Sequence, residues 1–212
     1  MVFGIFFKIM REKLLNFFKF FIFLLLIPVI IATTLSFGKQ LQMIEASFRA
    51  AWLGGVYLYV VMHLFFYEPV ELLNFGQGLI SGLFRFSEAV SVVAKYIFPF
   101  YTLLLFGAYY FVVVLGGIGG IWPYFIFAFV GFTVTMHVVL TAHNLHEEDA
   151  SFIKPHYFSV ISLTYMANVI LLACFFSLLF DKFLLAEFFR TLFNISGMIY
   201  SRAFHQLFVP SS

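Results

Sequence analysis

The chain has 212 residues, 63% of them hydrophobic and only 10% charged, with a net charge of +2 and a mean hydropathy of +1.04. A soluble globular domain carries roughly 25% charged residues. This chain cannot cover a water-facing surface, so soluble, disordered and nucleic-acid-binding classes are excluded.

A bilayer-spanning helix needs about 20 mostly apolar residues. In chain order, an amphipathic helix is predicted first, over about 3–16, with Lys8, Arg11, Glu12 and Lys13 among Phe and Leu. It runs into a span of about 17–35 that contains Pro28. The basic start and the apolar core Phe20 to Ala32 also suit a signal segment. The small-x-small sites Thr34-Leu35-Ser36 and Ser36-Phe37-Gly38 are loose, and an uncleaved first helix is expected. The second span covers about 48–67.

Over about 69–95, Glu71, Asn74, Gln77, Ser81, Arg85, Glu88, Ser91 and Lys95 recur at three- or four-residue steps. Leu72, Phe75, Leu79, Leu83, Phe86 and Val90 lie opposite, which is an amphipathic helix suited to the interface plane or to a partner subunit. Gly78 and Gly82 form a small-xxx-small pair within it, a weak signal for close helix approach. The third span is placed at about 97–116. The run Gly116-Gly117-Ile118-Gly119-Gly120 makes a tight reversal. The fourth and fifth spans are placed at about 122–142 and 157–180. A looser polar stripe of Glu187, Arg190, Thr191, Asn194, Ser201 and His205 marks a third amphipathic helix at about 183–207. It reads first as interfacial, with a sixth span as the alternative and Glu187 pairing with Arg190 one turn on. The expectation is an all-α, polytopic transmembrane bundle in one membrane domain, 1–212.

Lys and Arg near the spans set orientation. With the N-terminus inside, the inner segments hold seven and the outer ones five, and Lys8, Arg11, Lys13 and Lys19 cluster at the first span. The N-terminus is therefore expected on the cytoplasmic side of an inner or plasma membrane, or on the matrix or stromal side of an organelle.

The histidines are the most informative polar residues. In this topology His63, His137, His143, His146 and His156 gather toward one membrane face. At about 1.5 Å rise per residue, His63 and His137 both lie roughly 6–8 Å inside their helix ends. Imidazoles at similar depth on facing helices can hold the iron of a b-type haem. A second arrangement joins His143 and His146 to His137 or His156, with an acid from Glu147, Glu148 or Asp149, around zinc or iron. The plainer reading is that these are interface histidines and a solvated loop, and the composition favours it, with no cofactor.

No His-Glu-x-x-His and no Gly-x-Ser-x-Gly occurs, so membrane zincin and serine-protease chemistry lack their motifs. Ser162 and Ser177 are expected to bond back to their own helices. Cys174, the single cysteine, excludes a disulfide framework and sits in an apolar run as inert packing. No Asp, Glu, Lys or Arg falls in the middle of a span, which weakens ion-coupled transport. Asn168 can hydrogen-bond across helices. The expected function is a non-catalytic integral subunit, an anchor or scaffold, whose partners are the bilayer and other membrane subunits or copies of itself. A haem- or metal-binding redox protein using His63 and His137 is the first alternative, and a small homo-oligomeric channel the second.

Overall fold

The computed structural model describes residues 2–65, 69–117, 119–148 and 155–208, and among these the chain forms eight α-helices and no strand. They are α1 (Val2–Leu41), α2 (Ala46–Phe65), α3 (Val70–Leu83), α4 (Glu88–Ile97), α5 (Phe100–Val114), α6 (Trp122–Glu148), α7 (Pro155–Leu179) and α8 (Leu185–Phe208). Lys13–Leu41, Ala46–Phe65, Trp122–His146 and Tyr157–Leu179 are each long and apolar enough to cross a membrane. α4 and α5 meet at 74° and make a fifth such unit when taken together. The architecture is an all-helical transmembrane bundle.

Contacts between helices give their directions. Ser159 reaches the carbonyl of Lys19 and Tyr165 meets Thr34, so α1 and α7 run parallel. Phe106 and Thr102 of α5 meet Phe127 and Thr133 of α6, an antiparallel pair. Phe127 also meets Phe176 and Phe180, while His146 meets Tyr157, so α6 and α7 are antiparallel. The backbone N–H of Leu184 donates to Gln40 Oε1, and the Tyr200 hydroxyl donates to the Leu25 carbonyl. α8 therefore runs antiparallel along the apolar half of α1. The turns α1–α2, α5–α6 and α7–α8 share one end of the bundle. In the α5–α6 turn Gly116, Gly117 and Gly120 take φ of 131°, 82° and 71°, the left-handed region that a side chain disfavours.

Two expected elements are cut differently. The amphipathic stretch is two helices, α3 and α4, broken at Phe84–Ser87. The third span does not begin at Ile97, where α4 ends; α5 starts at Phe100, because Pro99 has no N–H to donate and holds Phe98 extended at φ −92°, ψ 113°. At the N-terminus, by contrast, helix and first span are one continuous α1, and Pro28 lies inside it.

Bulk lipid is as apolar as the side chains, so close fit rather than water exclusion holds such helices together. α2 and α6 run parallel and make the tightest contact. A Cβ on Gly55 would stand 1.7 Å from the Ala128 carbonyl oxygen, and one on Gly131 would stand 2.1 Å from that of Trp52. Near the shared turn end, Phe176 is the hub of an aromatic cluster, with ring centroids 5.7 Å from Phe37, 5.9 Å from Phe106, 5.7 Å from Phe127 and 5.8 Å from Phe183. Such pairs contribute about 0.5–1.5 kcal/mol each beyond their burial.

Gly78 and Gly82 take no part in helix packing: both are exposed, with open space where a Cβ would stand. Gly55→Ala is expected to lower stability in detergent by roughly 1–3 kcal/mol through overpacking, whereas Gly78→Ala, with open space for its methyl in mid-helix, is expected to raise it by about 0.5–1 kcal/mol. Unfolding midpoints of the two variants measured side by side check this; equal midpoints would refute the packing assignment.

Candidate functional site

The break between α4 and α5 leaves backbone carbonyls without helical partners inside the bundle. Where water is absent, each such group must find a donor from the protein. The Phe98 N–H caps the Ala94 carbonyl. Of the three carbonyls that follow, those of Tyr96 and Ile97 are taken by side chains from other helices. His137 of α6 places Nε2 2.9 Å from the Tyr96 carbonyl oxygen. Asn168 of α7 donates from Nδ2 to the Ile97 carbonyl at 3.1 Å and to its own Thr164 carbonyl at 2.8 Å. Both side chains are buried, His137 at 4% and Asn168 at 1% exposure.

A ring of weaker polar contacts surrounds the break. Thr102 and Thr133 pair across α5 and α6 at 3.0 Å. The Tyr101 hydroxyl donates to the Leu72 carbonyl at 2.9 Å, and Gln77 reaches Thr141 at 3.4 Å. These tie α3 to α5 and α6. α3 approaches closely because Gly76 faces Tyr101 and Phe100, where a Cβ would stand 3.0 Å and 3.3 Å from side-chain atoms. A void of about 10 Å³ remains, lined by Gln77, Thr133 and His137 among others. That is about the volume one water occupies.

The geometry defines what His137 does. A carbonyl only accepts, so Nε2 carries the proton and Nδ1 is the one ring nitrogen left with a lone pair. His63 is engaged elsewhere. It stacks on Tyr59 at 6.0 Å, and Tyr59 packs edge-on to Phe132 of α6. His143 and His146 are exposed near the end of α6, and His146 meets the Tyr157 ring edge-on at 5.4 Å. The side chains of Glu147 and His156, expected in the metal set, lie outside the described residues. So do Glu148 as a side chain and Asp149 altogether. Among the described residues, no three His, Cys, Asp or Glu side chains gather closely enough to hold a metal ion.

The hydroxyls behave as their helices dictate. Ser162 donates to the Phe158 carbonyl at 2.6 Å and Ser177 to the Cys174 carbonyl at 2.7 Å. Neither is held by a base. The site is a polar joint with structural chemistry: it fixes a bent backbone inside an apolar bundle. Asn168 was legible as a cross-helix donor. Its target was not, because carbonyls at a break carry no side-chain signature. The Phe98-Pro99 pair is the signal that locates them.

His137→Leu leaves the Tyr96 carbonyl buried without a donor and is expected to lower stability by roughly 1–3 kcal/mol. His137→Gln keeps an N–H within reach and is expected to retain most of it. The unfolding midpoints of both variants in detergent decide; a native midpoint for His137→Leu would sink the capping role.

The chain matches no protein-family model, no curated protein and no solved structure.

Proposed function

We propose that the protein is a non-catalytic integral membrane subunit that works by lateral association with another protein in the bilayer. One observation carries this reading: the outward face of α8 exposes a carboxamide, Asn194, at mid-depth between Phe193 and Met198. The bonds from Leu184 to Gln40 and from Tyr200 to Leu25 set the register of α8 on α1. Asn194 then lies level with Ile30 and Ile31, near the middle of the uncharged stretch from Phe20 to Gly38. Its side chain is exposed, as are Arg190 and Ser201 on the same stripe. Gly197 between them is open to the outside as well.

A polar group facing hydrocarbon without a partner is costly, and lipid tails offer none. Carboxamides, hydroxyls and small residues on one helix face are what close helix–helix contacts in membranes use. Phe188, Leu192 and Ser196 face inward, so α8 has one side committed to its own bundle and the other left for a partner. Arg190 is held by Glu187 at 2.6 Å, which keeps its charge paired beside that face.

In this arrangement α8 is a sixth crossing and the C-terminus returns to the N-terminal side. Lys39, Arg49, Lys182 and Arg190 then belong to one side of the membrane and the other eight Lys and Arg residues to the opposite one. That asymmetry supports an N-terminus on the cytoplasmic, matrix or stromal side. The partner is another membrane subunit or a second copy of this chain.

A photo-crosslinking amino acid at Asn194, compared with one at the exposed Phe129 of α6, tests the proposal in native membranes. Discrete protein adducts at position 194, and lipid adducts at 129, are expected. Lipid adducts alone at both positions would refute it. The mass of the adduct separates self-association from a second subunit.

A further inference from the structure

We propose that α3 and α4 form a hairpin embedded in one leaflet only, on the N-terminal side of the bilayer, and that Leu72, Phe75, Leu79, Leu83 and Phe86 are its surface for the acyl chains of that leaflet. Depth is set by α6, whose membrane-crossing part Trp122–His146 is centred near Val134. The bond between Thr102 and Thr133 puts the start of α5 at that midplane, and Phe106 meets Phe127 farther toward the turn end. α5 has 15 residues, a length of about 22 Å. Starting at the midplane, it covers the turn-end half of the roughly 30 Å hydrocarbon layer and none of the other half.

α3 and α4 fill that other half without crossing it. α5 lies along α6, and α4 leaves it at 74°, close to the membrane plane. Ser91 donates to the Ser81 carbonyl at 3.1 Å and ties α4 to α3. Leu73 clusters with Met136 and Leu140, and one turn on Gln77 reaches Thr141. α3 thus stays at one level of α6 instead of travelling along it. Thr141 is about 10 Å from the span centre toward the N-terminal side. That leaves about 5 Å to the headgroup boundary, the depth at which an amphipathic helix rests in the interface.

The surface of α3 divides as this placement requires. Leu73, Gly76 and Ile80 are buried against the bundle. Glu71, Asn74 and Gly78 are exposed on the flank away from it, where the headgroups begin. Between the two runs the strip from Leu72 to Leu83, continued by Phe86 in the turn, with exposures of 40–81%. At that depth its surroundings are hydrocarbon. The strip holds only Leu and Phe, and none of the amide, hydroxyl or small residues that close helix contacts in membranes use. Acyl chains need no such groups. The charges of Glu71 and Arg85 cancel, so an anionic headgroup is not required.

Spin labels on single cysteines in a Cys174→Ala background test the placement, with the full-length protein in phosphatidylcholine nanodiscs. The readout is collision with oxygen, which enters hydrocarbon, and with a nickel chelate, which stays in water. A label at Leu79 is expected to be open to oxygen and closed to the chelate, and one at Asn74 to show the opposite order. Chelate access at Leu79 equal to that at Asn74 would overturn the proposal. On sealed vesicles, an impermeant maleimide is expected to reach cysteines at Asn74 and Met10 from one side and a cysteine at Met43 from the other. Reaction of Asn74 on the side of Met43 would equally overturn it. A photo-crosslinking amino acid at Leu79 in native membranes is expected to give lipid adducts. Discrete protein adducts there would place a partner subunit on the strip and sink the lipid assignment.

Discussion

The structure depends on one constraint: within an apolar bundle, every backbone polar group must be answered by the protein itself. Regular helices meet it automatically. The break at Phe98-Pro99 does not, and it stands because His137 and Asn168 reach across from α6 and α7 to the carbonyls of Tyr96 and Ile97. Those two side chains are among the most buried polar groups of the molecule, and their burial is explained by this duty. The bend in turn sets α4 at 74° to α5 and lets α3 dock through Gly76, Tyr101 and Gln77.

Packing supplies the rest of the rigidity. The parallel pair α2 and α6 comes together where glycine removes the Cβ on each side, and nothing larger fits at Gly55 or Gly131. At the turn end, phenylalanines from α1, α5, α6 and α7 converge on Phe176, with Phe183 of the α7–α8 connection beside them. Phenylalanine suits this place, because its rings interlock edge to face and bring no polar atom that would need a partner. The abundance of Phe in the chain has a structural use here that is separate from lipid contact.

Against that background the polar groups left over carry the functional argument. Asn194 faces outward on α8, away from the bundle. That placement is the basis on which a neighbouring helix outside the chain is proposed.

Composition and hydropathy by themselves determined that the chain is an all-helical membrane bundle, because charge content and apolar run length report directly on the solvent. Apolar periodicity also located the amphipathic stretch near 69–95, and the spacing of Glu187 and Arg190 foretold their ion pair. Gly116 to Gly120 marked a reversal, since glycine tolerates positive φ. Histidine content suggested a haem or metal set, and sequence could not separate that from His137 serving as a backbone cap. The tertiary structure decided which way each polar side chain faces. Helix rotation and register follow from contacts between distant segments, such as Gly55 with Ala128 and Tyr200 with Leu25, which no local window of sequence contains. The same residues written along the chain are compatible with many rotations, and only side-chain fit among all the helices selects one.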